Sequence, residues 1–219
     1  MVQQLSLFGQ ITRSQHDITA VALGTLTGSA PSPYTTYTLL ASPKRVVKYE
    51  PNSKNAQFEQ YKLHLKSPYD DTKKDRSEYS EWVLQVSDVP SAGKRKISTQ
   101  AIVESCILVQ KDQSIDTVLD SIGYLVEKEY LVKGVRVFYG NIVIEMFQVL
   151  VKTAEGEWKE LDDRAYLIKC FINVEKATDV ENLQKSSQEL MNLKNELTGF
   201  VELDIPDRNV MDSRIGIRK

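Results

Sequence analysis

Residues 124–152 constrain this chain more than any other stretch. Tyr124 to Tyr139 is a long run rich in Tyr, Val, Leu and Phe, Gly140-Asn141 is a two-residue turn, and Ile142 to Lys152 resumes the same character. That pattern predicts a hairpin of two long antiparallel strands, with a bulge or bend where Gly134 interrupts the first. Further strands are expected around it. Ile97 to Val109 carries Ala101, Val103, Ile107 and Val109 on one face, Glu81 to Ser87 carries Trp82, Leu84 and Val86, and residues 59–65 carry Tyr61, Leu63 and Leu65. Ala165 to Val174 adds another strand, Val2 to Phe8 a weaker one, and Tyr34 to Leu40 and Arg45 to Tyr49 two irregular ones. Parallel neighbours need crossovers of a dozen or more residues, which this spacing does not supply, so pairing must be antiparallel. Long strands that are apolar on one face are best managed by closing the sheet. The expected fold is mainly β (α+β), an antiparallel multistranded β-barrel flanked by about three helices.

The helices are marked by capping signals and apolar spacing. Ser14 with Asp17 reads as a capping box for a first helix with Ile18, Val21, Ala22 and Leu26 on one face, ending near Gly28. Ser114 caps a short helix bearing Ile115, Val118, Leu119 and Ile122, closed by Gly123. Thr178 with Glu181 opens a third, in which Leu183, Ser186, Leu190, Leu193 and Leu197 recur at spacings of three and four up to Gly199. That stripe is too short for a coiled coil and is expected to pack on the barrel. Residues 1–219 read as one domain. The charged stretch KSPYDDTKKDRSEYS, residues 66–80, offers almost nothing to bury and reads as a mobile surface loop. A strand followed by an extended tail from about residue 205 is expected at the end.

Composition narrows the function. The 219 residues carry 28 basic and 30 acidic side chains, a net charge of -2, so no overall positive field favours nucleic acid. Cys106 and Cys170 match neither a zinc spacing nor a disulfide framework, which fits a reducing compartment. Neither a signal peptide nor an apolar run long enough to span a bilayer is expected. No nucleophile elbow, phosphate loop, dinucleotide fingerprint or HExxH motif occurs, and His16 and His64 read as ordinary structural or surface histidines. No catalytic residue, metal or cofactor is therefore expected. One alternative stands out. Glu127 and Glu129 are alternate strand residues, and two carboxylates on one side of a barrel strand can share a divalent metal, as in tunnel-type metal-dependent triphosphatases. That chemistry asks for acid pairs on at least two strands, whereas Glu155/Glu157 lies in a turn and Glu202/Asp204 near a strand end. The aromatic group Tyr130, Phe138, Tyr139 and Phe147 has residues of both parities, so some must face away from any one core; these four are the candidate partner-binding residues.

Four segments carry a resemblance: MVQQLSLFG at the start, WVLQVSDVPSAG from Trp82 to Gly93, GYLVEKEYLVKGVRVFYGN from Gly123 to Asn141, and LMNLKNELTGFVELDIPDRNVMDSR from Leu190 to Arg214. In these the chain resembles the fungal branch of the Mediator complex subunit 18 family, with residues 34–80 the least characteristic part. The resemblance implies a barrel akin to the messenger-RNA capping triphosphatases but without catalysis, in the Mediator head module in the nucleus. It implies pairing with Mediator subunit 20, a related barrel, and tethering by the C-terminal helix of Mediator subunit 8. The implied role is to convey activator signals to RNA polymerase II and the preinitiation complex.

Overall fold

The structure is a computed structural model that describes residues 1–46, 60–93 and 95–215. Its strands are β1 (Val2–Thr12), β2 (Ser32–Pro43), β3 (Gln60–Tyr61), β4 (Leu63–Pro68), β5 (Glu81–Ser87), β6 (Ser98–Leu108), β7 (Tyr124–Tyr139), β8 (Ile142–Lys152), β9 (Trp158–Glu160), β10 (Ala165–Val174) and β11 (Arg214–Ile215). Three α-helices accompany them: α1 (His16–Thr27), α2 (Ile115–Ser121) and α3 (Val180–Leu197). The strand expected at Arg45 to Tyr49 lies largely outside the described residues.

The sheet runs β10-β1-β6-β5-β4-β2-β7-β8-β9, and an additional β10–β8 pairing closes the first eight of these strands into an antiparallel barrel. The hairpin read from residues 124–152 forms as expected, with Tyr139 opposite Ile142 and Gly140 at φ 58° in the turn. Gly134 carries no bulge, for the register passes through it unbroken on both sides. A Cβ there would fall 2.6 Å from the Phe147 Cα, so glycine lets two backbones close up where the wall curves. The bulge of β7 lies elsewhere, where the pairing slips from Leu40–Lys128 to Ala41–Val126 and leaves Glu127 without a partner.

Two apolar clusters lie on the outer face of the barrel. The first joins Leu5, Leu7, Ile144, Met146, Ile168 and Cys170 to Leu23 of α1 and to Leu190, Leu193 and Leu197 of α3. The second joins Tyr37, Leu39, Leu65, Trp82 and Leu131 to Ile115 and Leu119 of α2. Burying each such side chain contributes roughly 1.5–3 kcal/mol, so the helices act as lids that seal the outward apolar rows. The stripe of α3 is spent on this wall, as its spacing predicts, with Ser186, Leu190, Leu193 and Leu197 buried.

Four local expectations are corrected. In α1, Ile18 and Val21 are 62% and 70% exposed while Thr19 and Leu23 are buried and Ala20 and Leu26 pack against the same cluster, so the helix is rotated from the expected face and only Leu26 of the predicted stripe stays with the core. Ser14 with Asp17 makes no capping box; a box of Thr12 with Gln15, in which the Thr12 N–H donates to Gln15 Oε1 at 3.0 Å, opens the 3-10 turn Arg13–Gln15 that leads into α1, and α1 itself has no side-chain cap at Gln15. In α3 the cap is Asp179, which accepts from the Asn182 N–H at 3.1 Å, rather than Thr178. The stretch 66–80 does have something to bury: Tyr79 is 3% exposed, its ring lies 5.2 Å from Tyr37 and 5.6 Å from Trp82, and its hydroxyl donates to the Asp70 carbonyl at 3.1 Å.

After α3 the chain makes one bridge, Asp204 with Phe8, instead of a full strand. Val201 and Leu203 are buried beside it. Beyond, Arg208 Nε donates to the Pro90 carbonyl at 2.7 Å, Gln100 Nε2 to the Met211 carbonyl at 3.3 Å, and the Lys62 N–H to the Ser213 carbonyl at 2.8 Å. Ser213 Oγ donates to the Ser87 carbonyl, and β11 pairs with β3. The PDR and MDSR words thus belong to a strap laced along the barrel.

Candidate functional site: a charged interior

Side chains alternate across a strand, so the outward rows fix the inward ones. On β1, Leu5 and Leu7 point out to α3, which sends Gln4, Ser6 and Phe8 inward, opposite Asn173, Phe171 and Lys169 of β10. On β4 and β8 the same rule sends His64 and Lys66, and Glu145 and Phe147, into the barrel. The interior is therefore the polar face of the wall, lined by a few aromatic rings.

Five charged groups meet there: Lys66 on β4, Glu104 on β6, Arg136 on β7, Glu145 on β8 and Lys169 on β10. Arg136 and Lys169 both lie opposite Glu145, on the two strands that flank β8, while Lys66 and Glu104 stand on strands across the ring, and Lys66 and Lys169 each feel both Glu104 and Glu145. Arg136 is committed to Glu145, with Nε and Nη2 donating to Oε1 at 3.0 and 2.5 Å, and it stacks 4.7 Å from the Tyr34 ring centre. Lys66 Nζ donates to Gln85 Oε1 at 2.5 Å. Lys169 Nζ lies 4.6 Å from the Phe171 ring and 5.8 Å from that of Phe8. Among the described residues, neither lysine has a carboxylate within ion-pair distance.

Burial disfavours the charged form of these cations. It brings Lys169 down to about 8, against the pull of Glu145 and helped by repulsion from Lys66. Lys66 is lowered for the same first reason, with Glu104 and Glu145 opposing. His64 falls to about 4, chiefly by burial and then by Lys66 and Lys62, and its Nδ1 lies 3.3 Å from the Tyr130 hydroxyl. Burial raises the phenol of Tyr34 well above its ordinary value, with Glu145 adding to the effect. Solvent nevertheless reaches the inner face, for Glu104 and Cys106 of β6 are both exposed.

The Glu127/Glu129 pair does not form a metal site. The bulge at Glu127 breaks the alternation that would have aligned the two carboxylates, and each has its own partners. Glu129 lies opposite outward-facing Leu39, accepts from the Tyr37 hydroxyl at 2.5 Å and faces Lys152 at 3.2 Å and Arg76 at 3.9 Å. Glu127 accepts from Ser42 Oγ at 2.5 Å and pairs with Lys62 at 3.2 Å; these contacts, the Ser42 hydrogen bond first, hold it below the usual carboxylate range. Glu202 instead accepts from the Gly199 N–H at 3.1 Å. No group of three His, Cys, Asp or Glu stands close enough to hold a metal ion among the described residues.

The four aromatic candidates part company. Tyr130 and Phe147 face the interior, Phe147 lying opposite Gly134 and Leu167, and Tyr139 packs against the outer cluster under α1 and α3. Phe138 is 53% exposed. The histidines are also apart, since His16 stacks on Tyr166 at 4.3 Å outside the barrel. Sequence reading passed over Lys66, Glu104, Arg136, Glu145 and Lys169. Their signal was present as the polar positions between apolar ones on several strands, a pattern ordinarily taken for a solvated face.

Comparison with known proteins agrees with this architecture. The family model described as Med18 protein matches residues 3–214. The Mediator of RNA polymerase II transcription subunit 18 of Yarrowia lipolytica is 33% identical over 98% of this chain and 100% of its own length. The protein of the same name from Kluyveromyces lactis is 31% identical over 98% of each chain. A chain in the structure of the Schizosaccharomyces pombe Mediator head module superimposes with a TM-score of 0.75 over 97% of this chain and 100% of its own, at 18% identity, which speaks for the fold. On the family match and these full-length relatives, the chain belongs to the Med18 protein family.

Proposed function

We propose that the protein is a non-catalytic subunit of the Mediator head module, an adaptor that helps convey activator signals to RNA polymerase II and the preinitiation complex in the nucleus. The observation that carries this reading is likeness along nearly the whole chain to proteins named as this Mediator subunit. The splitting of Glu127 from Glu129 removes the motive for the competing metal-dependent triphosphatase. Contact with other head subunits then falls to the outer surface. Mediator subunit 20 is the partner barrel in this reading, and the C-terminal helix of Mediator subunit 8 docks in helix-in-groove fashion. Exposed apolar side chains such as Ile18 and Val21 of α1 suit such contacts, and Phe138, on the inward row of β7 beside its closing turn, is exposed at the rim of the barrel.

Co-expression with the cognate subunits 8 and 20 tests the reading. A stable ternary complex that survives size-exclusion chromatography is expected, and Phe138→Asp is expected to weaken it. Purification of this chain without either subunit after co-expression would overturn the assignment. Manganese-dependent hydrolysis of a nucleoside triphosphate that is lost in Glu127→Ala/Glu129→Ala would restore the enzyme reading.

A further inference from the structure

We propose that the free edge of β6 docks an extended segment of a partner protein, one that alternates apolar side chains with a lysine or arginine and joins the barrel as an added strand. β6 is longer than the strand beside it. β1 covers it from Ser98 to Ile102, where Val2 is the last partner, while β5 covers its other side from Ile102 to Leu108. Ile102 meets both neighbours, so over residues 103–108 the side that faced β1 has no strand beside it among the described residues. Every second residue of that stretch turns its N–H and C=O away from β5, with no strand to receive them. Such a row is a template for pairing, which folds commonly blunt with lysine, proline or a bulge. Residues 103–108 have neither lysine nor proline, and their register against β5 is unbroken.

The side chains define the strand that fits. On the outer face the stretch offers Val103, 44% exposed, and Ile107, which packs against the second apolar cluster. Apolar or β-branched residues laid opposite them extend that cluster over the edge. On the inner face stand Glu104, Cys106 and Leu108, all exposed, Leu108 at 76%. Glu104 has no ion pair among the described residues, and its neighbour on β5 is the uncharged Gln85. Opposite charges across a strand pair are favourable, so the complement of Glu104 is a lysine or arginine. A second copy of this chain cannot supply it. Directly paired residues share a face, so another β6 laid antiparallel on the edge sets Glu104 against Glu104, Cys106 or Leu108 and never against a cation. A partner's basic and apolar segment is therefore the occupant, bound by strand addition. This site stands on backbone pairing in the isolated chain and does not depend on the adaptor reading.

The probe is a synthetic hexapeptide that alternates valine with lysine and threonine, added to the full chain. In the free protein, the amides of residues 103–108 that face away from β5 are expected to exchange with solvent fast, and the peptide should slow them. Cys106 is a second reporter, being exposed where Cys170 is buried, and its alkylation should slow saturably with peptide. Alternate amides of a strand point to opposite sides, so methylating one alternate set of peptide nitrogens should abolish both effects and methylating the other set should leave them. Glu104→Lys is expected to weaken the peptide roughly fivefold, an attraction exchanged for a repulsion, and the milder Glu104→Gln about twofold, with folding of each checked by its melting transition. Slow exchange at the edge of the dilute free chain, no protection by millimolar peptide, equal effects of the two methylated sets, or unchanged affinity in both variants would each overturn the site. So would protection that grows with protein concentration alone, which makes a second copy the occupant.

Discussion

The two faces of the same barrel wall obey different rules. On the outer face of β1, Leu5 and Leu7 are sealed beneath α3; one residue along, Gln4, Ser6 and Phe8 look into a space holding lysines, an arginine and glutamates. Stability is concentrated outside, where three helices complete two apolar cores. The inside contributes little that packing alone would select. A wall that folds on the strength of its outer face leaves its inner face free to carry charge, at a cost the outer cores can absorb.

The strongest way to break this comparison is to remove an outer anchor. Leu193→Ala, at a position that is 0% exposed, is expected to cost about 3 kcal/mol in urea denaturation, within the usual range for buried leucines. A loss much under 1 kcal/mol would mean that α3 is not structural in this way. On the inner face the sign should reverse. Lys169→Met is expected to stabilise the free protein at neutral pH by about 1 kcal/mol, because replacing a buried charge with an apolar side chain of similar volume is often favourable. The pH dependence sharpens the point. With Lys169 at about 8 when folded and at its ordinary value of 10.5 when unfolded, the unfolded chain holds the extra proton between those limits. Stability should therefore climb as pH rises from about 8 toward 10.5, and the advantage of Lys169→Met should shrink over that window. The smallest expected effect concerns the acids on either side of the bulge. In a double-mutant cycle of Glu127→Gln and Glu129→Gln the coupling should stay under about 0.5 kcal/mol, since they share no partner. Coupling above about 1 kcal/mol would mean that the two carboxylates act together after all.

Strand pairing was readable where local chemistry and long-range packing agree. The hairpin about Gly140-Asn141 and the leucine stripe of α3 are of that kind, because each signal is repeated over many residues. Reading failed where the deciding partner lay elsewhere in the chain. Ile18 and Val21 look like a core face until the wall selects Thr19 and Leu23, and Tyr79 sits in a charged stretch until Tyr37 and Trp82 close over it. The bulge at Glu127 left no mark of its own, for it arises from the register of β2 against β7. Alternation on β4, β8 and β10 did distinguish two faces, but not which of them closes around a shared space. The interior charges were thus visible as residues and hidden as a site.

The pairing of β1 has a consequence for the order in which the barrel is made. Its partners are β6, at Ser98–Ile102, and β10, at Ala165–Val174, so β1 cannot be flanked on both sides until β10, far behind it in the chain, has left the ribosome. Until then its Leu5 and Leu7 lack α3, and one backbone edge is free to pair with the wrong neighbour. Such long-range closure is slow. The arrival of β10 is the event that covers this edge and closes the wall.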